Sequence, residues 1–162
     1  MKGLVIMTVG KTHSGKTTFA KALEKELLNS VVIDQDNHAE FLYEHYQSLL
    51  PKQGSNTIKY AITQAIVHHA VHETNYHMIL CNSNRNRNGR LKLINYYQNK
   101  GFTCILVKFE IPDHVLKERI TKSERSTSIL RVAATFDEVL LRQQAETKEG
   151  DILAPDGDEA EH

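Results

Sequence analysis

The chain has 162 residues, with Lys plus Arg and Asp plus Glu equal at 20 each and a formal net charge of zero. That length fits one domain with a core of its own, and the balance argues against a global field for nucleic acid or an anionic membrane. Cys81 and Cys104 both lie in apolar runs and read as buried reduced thiols, and no stretch resembles a signal peptide or a membrane span, so a cytoplasmic protein that does not enter the membrane is the expectation.

Lys2 to Val9 reads as a short buried strand, and Phe19, Ala20, Leu23, Leu27 and Leu28 recur at helical spacing soon afterwards. Between them Gly10-Lys11-Thr12-His13-Ser14-Gly15-Lys16-Thr17-Thr18 satisfies G-x-x-x-x-G-K-[ST]. Strand, loop, helix is the order that a phosphate-cradling loop requires, and a chance turn of this composition would lack both flanks. Wrapping a polyphosphate needs glycine freedom at Gly10 and Gly15, then a helix whose unpaired N–H groups point at the anion. The residues from Gly10 to Thr18 are therefore expected to hold nucleotide phosphates, with Lys16 reaching the outer ones and the Thr17 hydroxyl offered to magnesium. Histidine tolerates a left-handed backbone better than most residues, so His13 fits the loop at the cost of mild strain.

Ser30 to Ile33 is a second strand, ending in Asp34-Gln35-Asp36-Asn37. In an open α/β sheet the ligand crevice lies off the carboxyl ends of the strands, so both carboxylates should face the nucleotide. The competing reading is that Asp36 or Asn37 caps the helix that follows from about Ala39 to Leu50. After the polar turn Lys52 to Asn56 a further helix is expected, with Ile58, Ala61, Ile62, Ala65, Ile66 and Ala70 on its inner face. Its tail carries His68, His69 and His72, with His77 beyond, but no convincing ligand spacing, and these read as solvated or capping side chains.

His77 to Cys81 is the third strand and runs into Asn82-Ser83-Asn84-Arg85-Asn86-Arg87-Asn88-Gly89-Arg90. These asparagines and arginines should face the crevice as well, although a solvated turn accounts equally for Arg85 and Arg87. Where many nucleotide-binding proteins have an aspartate at this strand end, the chain offers only Cys81 or Asn82, which raises the importance of Asp34. Leu91, Leu93, Ile94 and Tyr97 describe a helix stopped near Gly101, and Phe102 to Phe109 is the clearest strand. Strands alternating with helices imply a parallel sheet. The next helix spans Asp113 to Arg125, and Arg119, Lys122, Arg125 and Arg131 crowd its end, either as a charged helix face or as a lid over residues 119–131. A last helix runs from about Ala133 to Thr147 with Phe136, Val139, Leu140 and Gln143 inward, and the acidic tail 151–162 is expected to be mobile beyond a domain of residues 1–150.

With the phosphate loop, the Asp34-x-Asp36 pair, the Asn/Arg loop and the arginine cluster in view, the chain resembles the small P-loop kinases, most of all the group that includes polynucleotide 5′-hydroxyl kinase, zeta-toxin-like kinases and gluconate or shikimate kinases. The resemblance to shikimate kinase implies that Asp34 serves the magnesium shell and Asp36 the acceptor hydroxyl. Polynucleotide kinase carries a segment like S-D-T-N-L-N-x-x-R-R after its third strand, which residues 81–90 follow with Asn82 in place of the aspartate and Gly89 in place of the first paired arginine. That likeness implies acceptor contacts from Asn84, Arg87 and Arg90. The Glu118-Arg119-Ile120 run followed by Arg125 resembles the lid of these kinases, implying that Arg119 and Arg125 meet nucleotide phosphates and that Arg125 neutralises charge on the transferred group. Relatives place a fifth strand after the last helix, and Glu159 to His162 stop where it would begin, leaving a four-strand sheet in order 2-3-1-4 or a chain shortened before the fifth.

The expected protein is a three-layer α/β P-loop NTPase domain acting as an ATP- and Mg2+-dependent kinase on a hydroxyl acceptor, with Lys16, Asp36 and Arg125 catalytic and Thr17 and Asp34 on the metal. An NTPase or switch without an acceptor, and a nucleic-acid-directed protein using Arg85, Arg87 and Arg90 as a phosphate track, are the competing readings. The identity of the acceptor and the oligomeric state are not encoded in any motif of the chain.

Overall fold

Two apolar faces on each central strand decide the architecture. In β1 (Gly3–Val9) Val5 and Met7 leave one face of the pleat and Leu4 and Ile6 the other, and both sets are covered. The computed structural model describes residues 2–123 and 136–149. With β2 (Ser30–Ile33), β3 (His77–Leu80) and β4 (Phe102–Lys108), the sheet runs β2-β3-β1-β4, parallel throughout. Val5 pairs with Met78 on one side and Cys104 on the other, so the strand leading into Gly10 is braced from both directions.

Parallel neighbours need long crossovers, and helices supply them. α1 (Lys16–Glu26) covers one face, where Ala20, Phe19 and Leu23 pack on Ile6, Ile79 and Cys81. α3 (Thr57–Glu73) and α4 (Arg87–Asn99) cover the other, where Val67, Val71, Ile94 and Tyr97 close over Val5, Met7 and Met78. α2 (Gln35–His45) packs mainly on α3, and α5 (Asp113–Thr121) meets α6 (Phe136–Glu149). The parallel 2-3-1-4 sheet and its helical layers match the expected fold.

Several boundaries differ for local reasons. α1 ends at Glu26 and the chain reverses through Asn29 at φ 55°, which leaves Leu28 82% exposed instead of on the apolar stripe. α2 begins at Gln35, four residues before the expected start, because Asp34 itself is the cap: its side chain accepts from the Asp36 N–H at 2.9 Å. Asp36 and Asn37 are therefore first-turn residues and not caps. The inner face of α3 is Thr63, Val67, Ala70 and Val71, whereas Ile66 is turned out, since a helix apolar nearly all round does not announce which stripe is buried. On α6 the inward residues Phe136, Val139, Leu140 and Gln143 are those expected. The lid residues 124–131, the start of the last helix before Phe136 and the acidic tail lie outside the described residues.

Ile79 is fully buried on a central strand against the α1 layer. Ile79→Ala should lower the unfolding free energy by about 2–5 kcal/mol, measured by denaturant titration with an unchanged slope. A loss below half a kcal/mol would mean that this layer is not packed as described.

Candidate active site

The loop after β1 is held in a shape that few sequences adopt. Gly15 caps α1 at φ 101° and His13 sits at φ 57°, both left-handed. Gly10 is needed for a different reason: a Cβ there would stand 2.8 Å from Ser14 Oγ and 2.9 Å from Phe109 Cβ. A side chain at Gly10 would thus fill the cradle from below. Lys16 Nζ lies over the loop, donating to the Lys11 carbonyl and to Ser14 Oγ. The loop is also tied from outside. Lys11 pairs with Asp113 at 2.8 Å, a bond that draws the Asp113 carboxyl below its ordinary range, and Arg119 Nη1 donates to the His13 carbonyl at 3.0 Å. The His13 ring meets Phe136 edge to face at 4.9 Å, and the Thr12 N–H donates to Gln143 Oε1 at 2.9 Å.

The ends of β2 and β3 bring oxygen donors beside this loop. Asp34 is buried, and Asn82 Nδ2 reaches its Oδ1 at 3.4 Å while Asn82 Oδ1 accepts from the Gln35 N–H at 3.3 Å. The neighbouring Cys81 Sγ contacts Thr17 Oγ1 at 3.7 Å, and burial pushes that thiol up from its ordinary range, so it stays protonated at neutral pH. Residues 81 and 82 therefore link Thr17 to Asp34. A hydroxyl and a carboxylate suit a hard cation such as Mg2+, which keeps much of its own water shell. Among the described residues no three His, Cys, Asp or Glu side chains gather as a protein-only metal site, which an ion shared with a polyphosphate does not need.

A cleft of about 1250 Å³ opens over these groups, larger than the roughly 300–1,000 Å³ usual for a single small ligand. Its lining includes the phosphate loop, Arg119, Val139 and Arg142, together with Asp36, Asn37 and Glu40 of α2 and Lys59 and Tyr60 of α3. Asp36 lies in the first turn of α2, where the helix dipole favours a carboxylate. Lys59 lies over the Tyr60 ring at 5.0 Å. Burial, then the Lys59 charge, lowers the pKa of nearby His38, whose Nδ1 pairs with Thr63 Oγ1 at 2.7 Å.

A family profile for the AAA domain (AAA_33) matches residues 5–149. The chain belongs to the AAA domain family. Comparison of this AAA domain with curated proteins gives no match by sequence. Solved structures do resemble it. The RNA repair complex Pnkp1/Rnl/Hen1 aligns at TM-score 0.63 with 16% identity, over 91% of this chain and 46% of that one. Shikimate kinase from Bacteroides thetaiotaomicron aligns at 0.52 with 17% identity over 92% and 81%, and the Mycobacterium tuberculosis APS kinase in complex with AMPPNP and APS at 0.50 with 19% identity over 93% and 76%. The chain spans less than half the length of the Pnkp1/Rnl/Hen1 chains it matches. At these identities the likeness speaks to the fold, that of the small P-loop kinases.

Within the AAA domain the cleft gathers residues 12–18, Asp34, Asp36 and Arg119 from the sequence-derived site. Gly10 and Lys11 shape the loop from behind. Asn84, Arg87 and Arg90 do not line the cleft. Asn84 donates to the Thr8 and Asn82 carbonyls, and Arg90, 1% exposed, donates to the Asn84 and Arg85 carbonyls, so the segment expected to meet an acceptor folds on itself. Arg125 lies outside the described residues. Glu40, Lys59, Tyr60 and Arg142 escaped the sequence reading because no motif spacing marks them; Glu40 alone carries a local signal, one helical turn from Asp36.

Asp34 combines a capping bond with a place at the proposed metal, and the two separate by mutation. Asn caps as well as Asp. Asp34→Asn should leave the melting temperature within about 2 °C of the parent while raising the Mg2+ concentration needed for half-maximal ATP-dependent stabilisation severalfold. An unchanged Mg2+ requirement would remove Asp34 from the metal.

Proposed function

We propose that the protein is an ATP- and Mg2+-dependent kinase that transfers the terminal phosphoryl group of ATP to a hydroxyl acceptor. The observation that carries this reading is one cleft lined by both the phosphate loop and the Asp36 carboxylate, with room beyond a single ligand. The loop amides, Lys16 and Arg119 hold the phosphates, Thr17 and Asp34 the magnesium, and Arg125 remains the residue assigned to the developing charge. When bound, magnesium would neutralise charge on the outer phosphates. Asp36 orients the acceptor O–H and takes its proton as the oxygen attacks the terminal phosphorus and the bond to the ADP oxygen breaks, leaving a phosphate ester and ADP.

The groups around Asp36 bear on the acceptor. On the α1, α2 and α3 lining the carboxylates Asp34, Asp36 and Glu40 are matched in number by Lys16, Lys21 and Lys59. Arg85 and Arg90 donate to main-chain carbonyls and do not line the cleft, which favours a small hydroxyl compound over a nucleic-acid 5′ end held along that segment. Among the described residues no helix is long and apolar enough to cross a membrane.

Two variants test the reading. Lys16→Ala should abolish the thermal stabilisation that the parent gains from MgATP, since Lys16 is a phosphate contact and not a core residue; a mutant that still gains it would move the nucleotide elsewhere. Asp36→Asn should lose about 10²- to 10⁴-fold in acceptor-dependent ADP release with nucleotide affinity nearly unchanged. The acceptors to screen are neutral polyols and sugars, hydroxy acids, nucleosides and 5′-hydroxyl oligonucleotides. Full acceptor-dependent activity in Asp36→Asn rejects the general base, and phosphate release that no acceptor accelerates favours a simple NTPase.

A further inference from the structure

A run of buried polar groups reaches the phosphate loop from the far side of the sheet. Arg90 Nη1 donates to the Arg85 carbonyl at 2.6 Å and to the Asn84 carbonyl at 3.1 Å. Arg85 Nη2 donates to the Gln143 carbonyl of α6 at 2.9 Å, and Gln143 Oε1 accepts from the Thr12 N–H at 2.9 Å. Arg85, Gln143 and Thr12 are 8%, 7% and 7% exposed. A buried amide without an acceptor is costly, so the Thr12 N–H directs where this part of the loop sits. The next residue, His13, is the one held left-handed, and a strained backbone persists only where its surroundings over-determine it.

We infer that Gln143, fixed by Arg85, is a positioning residue that sets the phosphate loop in its nucleotide-binding shape. His13 to Thr17, the residues that follow this bond, line the cleft, with the Ser14 N–H donating back to the Lys11 carbonyl at 3.3 Å. Arg85 suits the task because a guanidinium keeps its charge when buried and offers several donors in a fixed plane, enough to hold a backbone carbonyl of α6 while meeting other partners. The inference rests on the nucleotide reading above but makes a separate claim about residues far apart in the chain.

The test uses Gln143→Met, which keeps shape and loses the amide acceptor, Gln143→Glu, which keeps an acceptor for the Thr12 N–H, and Arg85→Met, at a residue that does not line the cleft. Gln143→Met should speed hydrogen exchange at the Thr12 amide of the nucleotide-free protein and weaken MgATP binding about tenfold or more, within what a misplacement of about 1 Å can cost. Gln143→Glu should retain the Thr12 protection. Arg85→Met should weaken MgATP in the same direction, and the Arg85→Met/Gln143→Met double variant should lose less than the sum of the two. Thr12 exchange and MgATP affinity both unchanged in Gln143→Met overturn the inference, and that variant alone decides if Arg85→Met does not fold. A parent that gains nothing from MgATP instead overturns the nucleotide reading, while Thr12 exchange still reports on the relay.

Discussion

The shape of the loop between Gly10 and Lys16 is the constraint on which the remaining structure depends. A turn that presents successive N–H groups to one point must resist their tendency to pair elsewhere, and it does so here with two left-handed residues, His13 and Gly15. Such conformations cost on the order of 1–3 kcal/mol at a non-glycine residue, so something must hold them. β1 and β4 fix the loop at its start, where the Phe109 N–H donates to the Val9 carbonyl, and α1 fixes it at its end. Between these points the clamps come from α5 and α6: Asp113 on Lys11, Gln143 on Thr12, Arg119 and Phe136 on His13. The carboxyl-terminal helices are thus as much a part of the phosphate loop as the glycines.

The sheet order then decides what can stand beside that loop. With β1 between β3 and β4, and β2 outermost next to β3, the ends of β2 and β3 deliver Asp34, Cys81 and Asn82 to one side of Lys16 and Thr17. Asn82 is the hinge of this arrangement. Its amide touches Asp34 with one end and the first amide of α2 with the other, so a neutral side chain at the end of β3 orders the single carboxylate at the end of β2. Two carboxylates so close would repel, and one would be pushed toward its protonated form. An asparagine next to Asp34 avoids that repulsion.

What could be read from the sequence follows the range of the interactions involved. The phosphate loop, β1 and α1 are specified by adjacent residues, and periodicity alone recovered four parallel strands and the inward face of α6. The start of α2 was misplaced because Asp34, Asp36 and Asn37 are all good caps and only the backbone geometry chooses among them. The inner stripe of α3 was misread because apolar residues surround that helix and its choice of face depends on β1 and β3. Arg85 and Arg90 were the least legible, since their partners include a carbonyl 58 residues away and no local pattern distinguishes a buried arginine from a solvated one. The part of the cleft lining that comes from α2 and α3 was invisible for the same reason, being assembled across an intervening turn.

The two kinds of arginine carry the last step. Burying a guanidinium is tolerable only when carbonyls or carboxylates take up its donors, and donors so engaged are not offered to a ligand. Arg85 and Arg90 meet that condition with main-chain oxygens, so these two side chains brace the crevice from behind instead of lining it. Cations that line the crevice are instead Lys16, Lys21, Lys59, Arg119 and Arg142, alongside the carboxylates Asp34, Asp36 and Glu40. Both signs of charge therefore line one crevice. A mixed lining can engage an anionic group at its cations while a hydroxyl meets a carboxylate, the pairing that the proposed phosphoryl transfer requires.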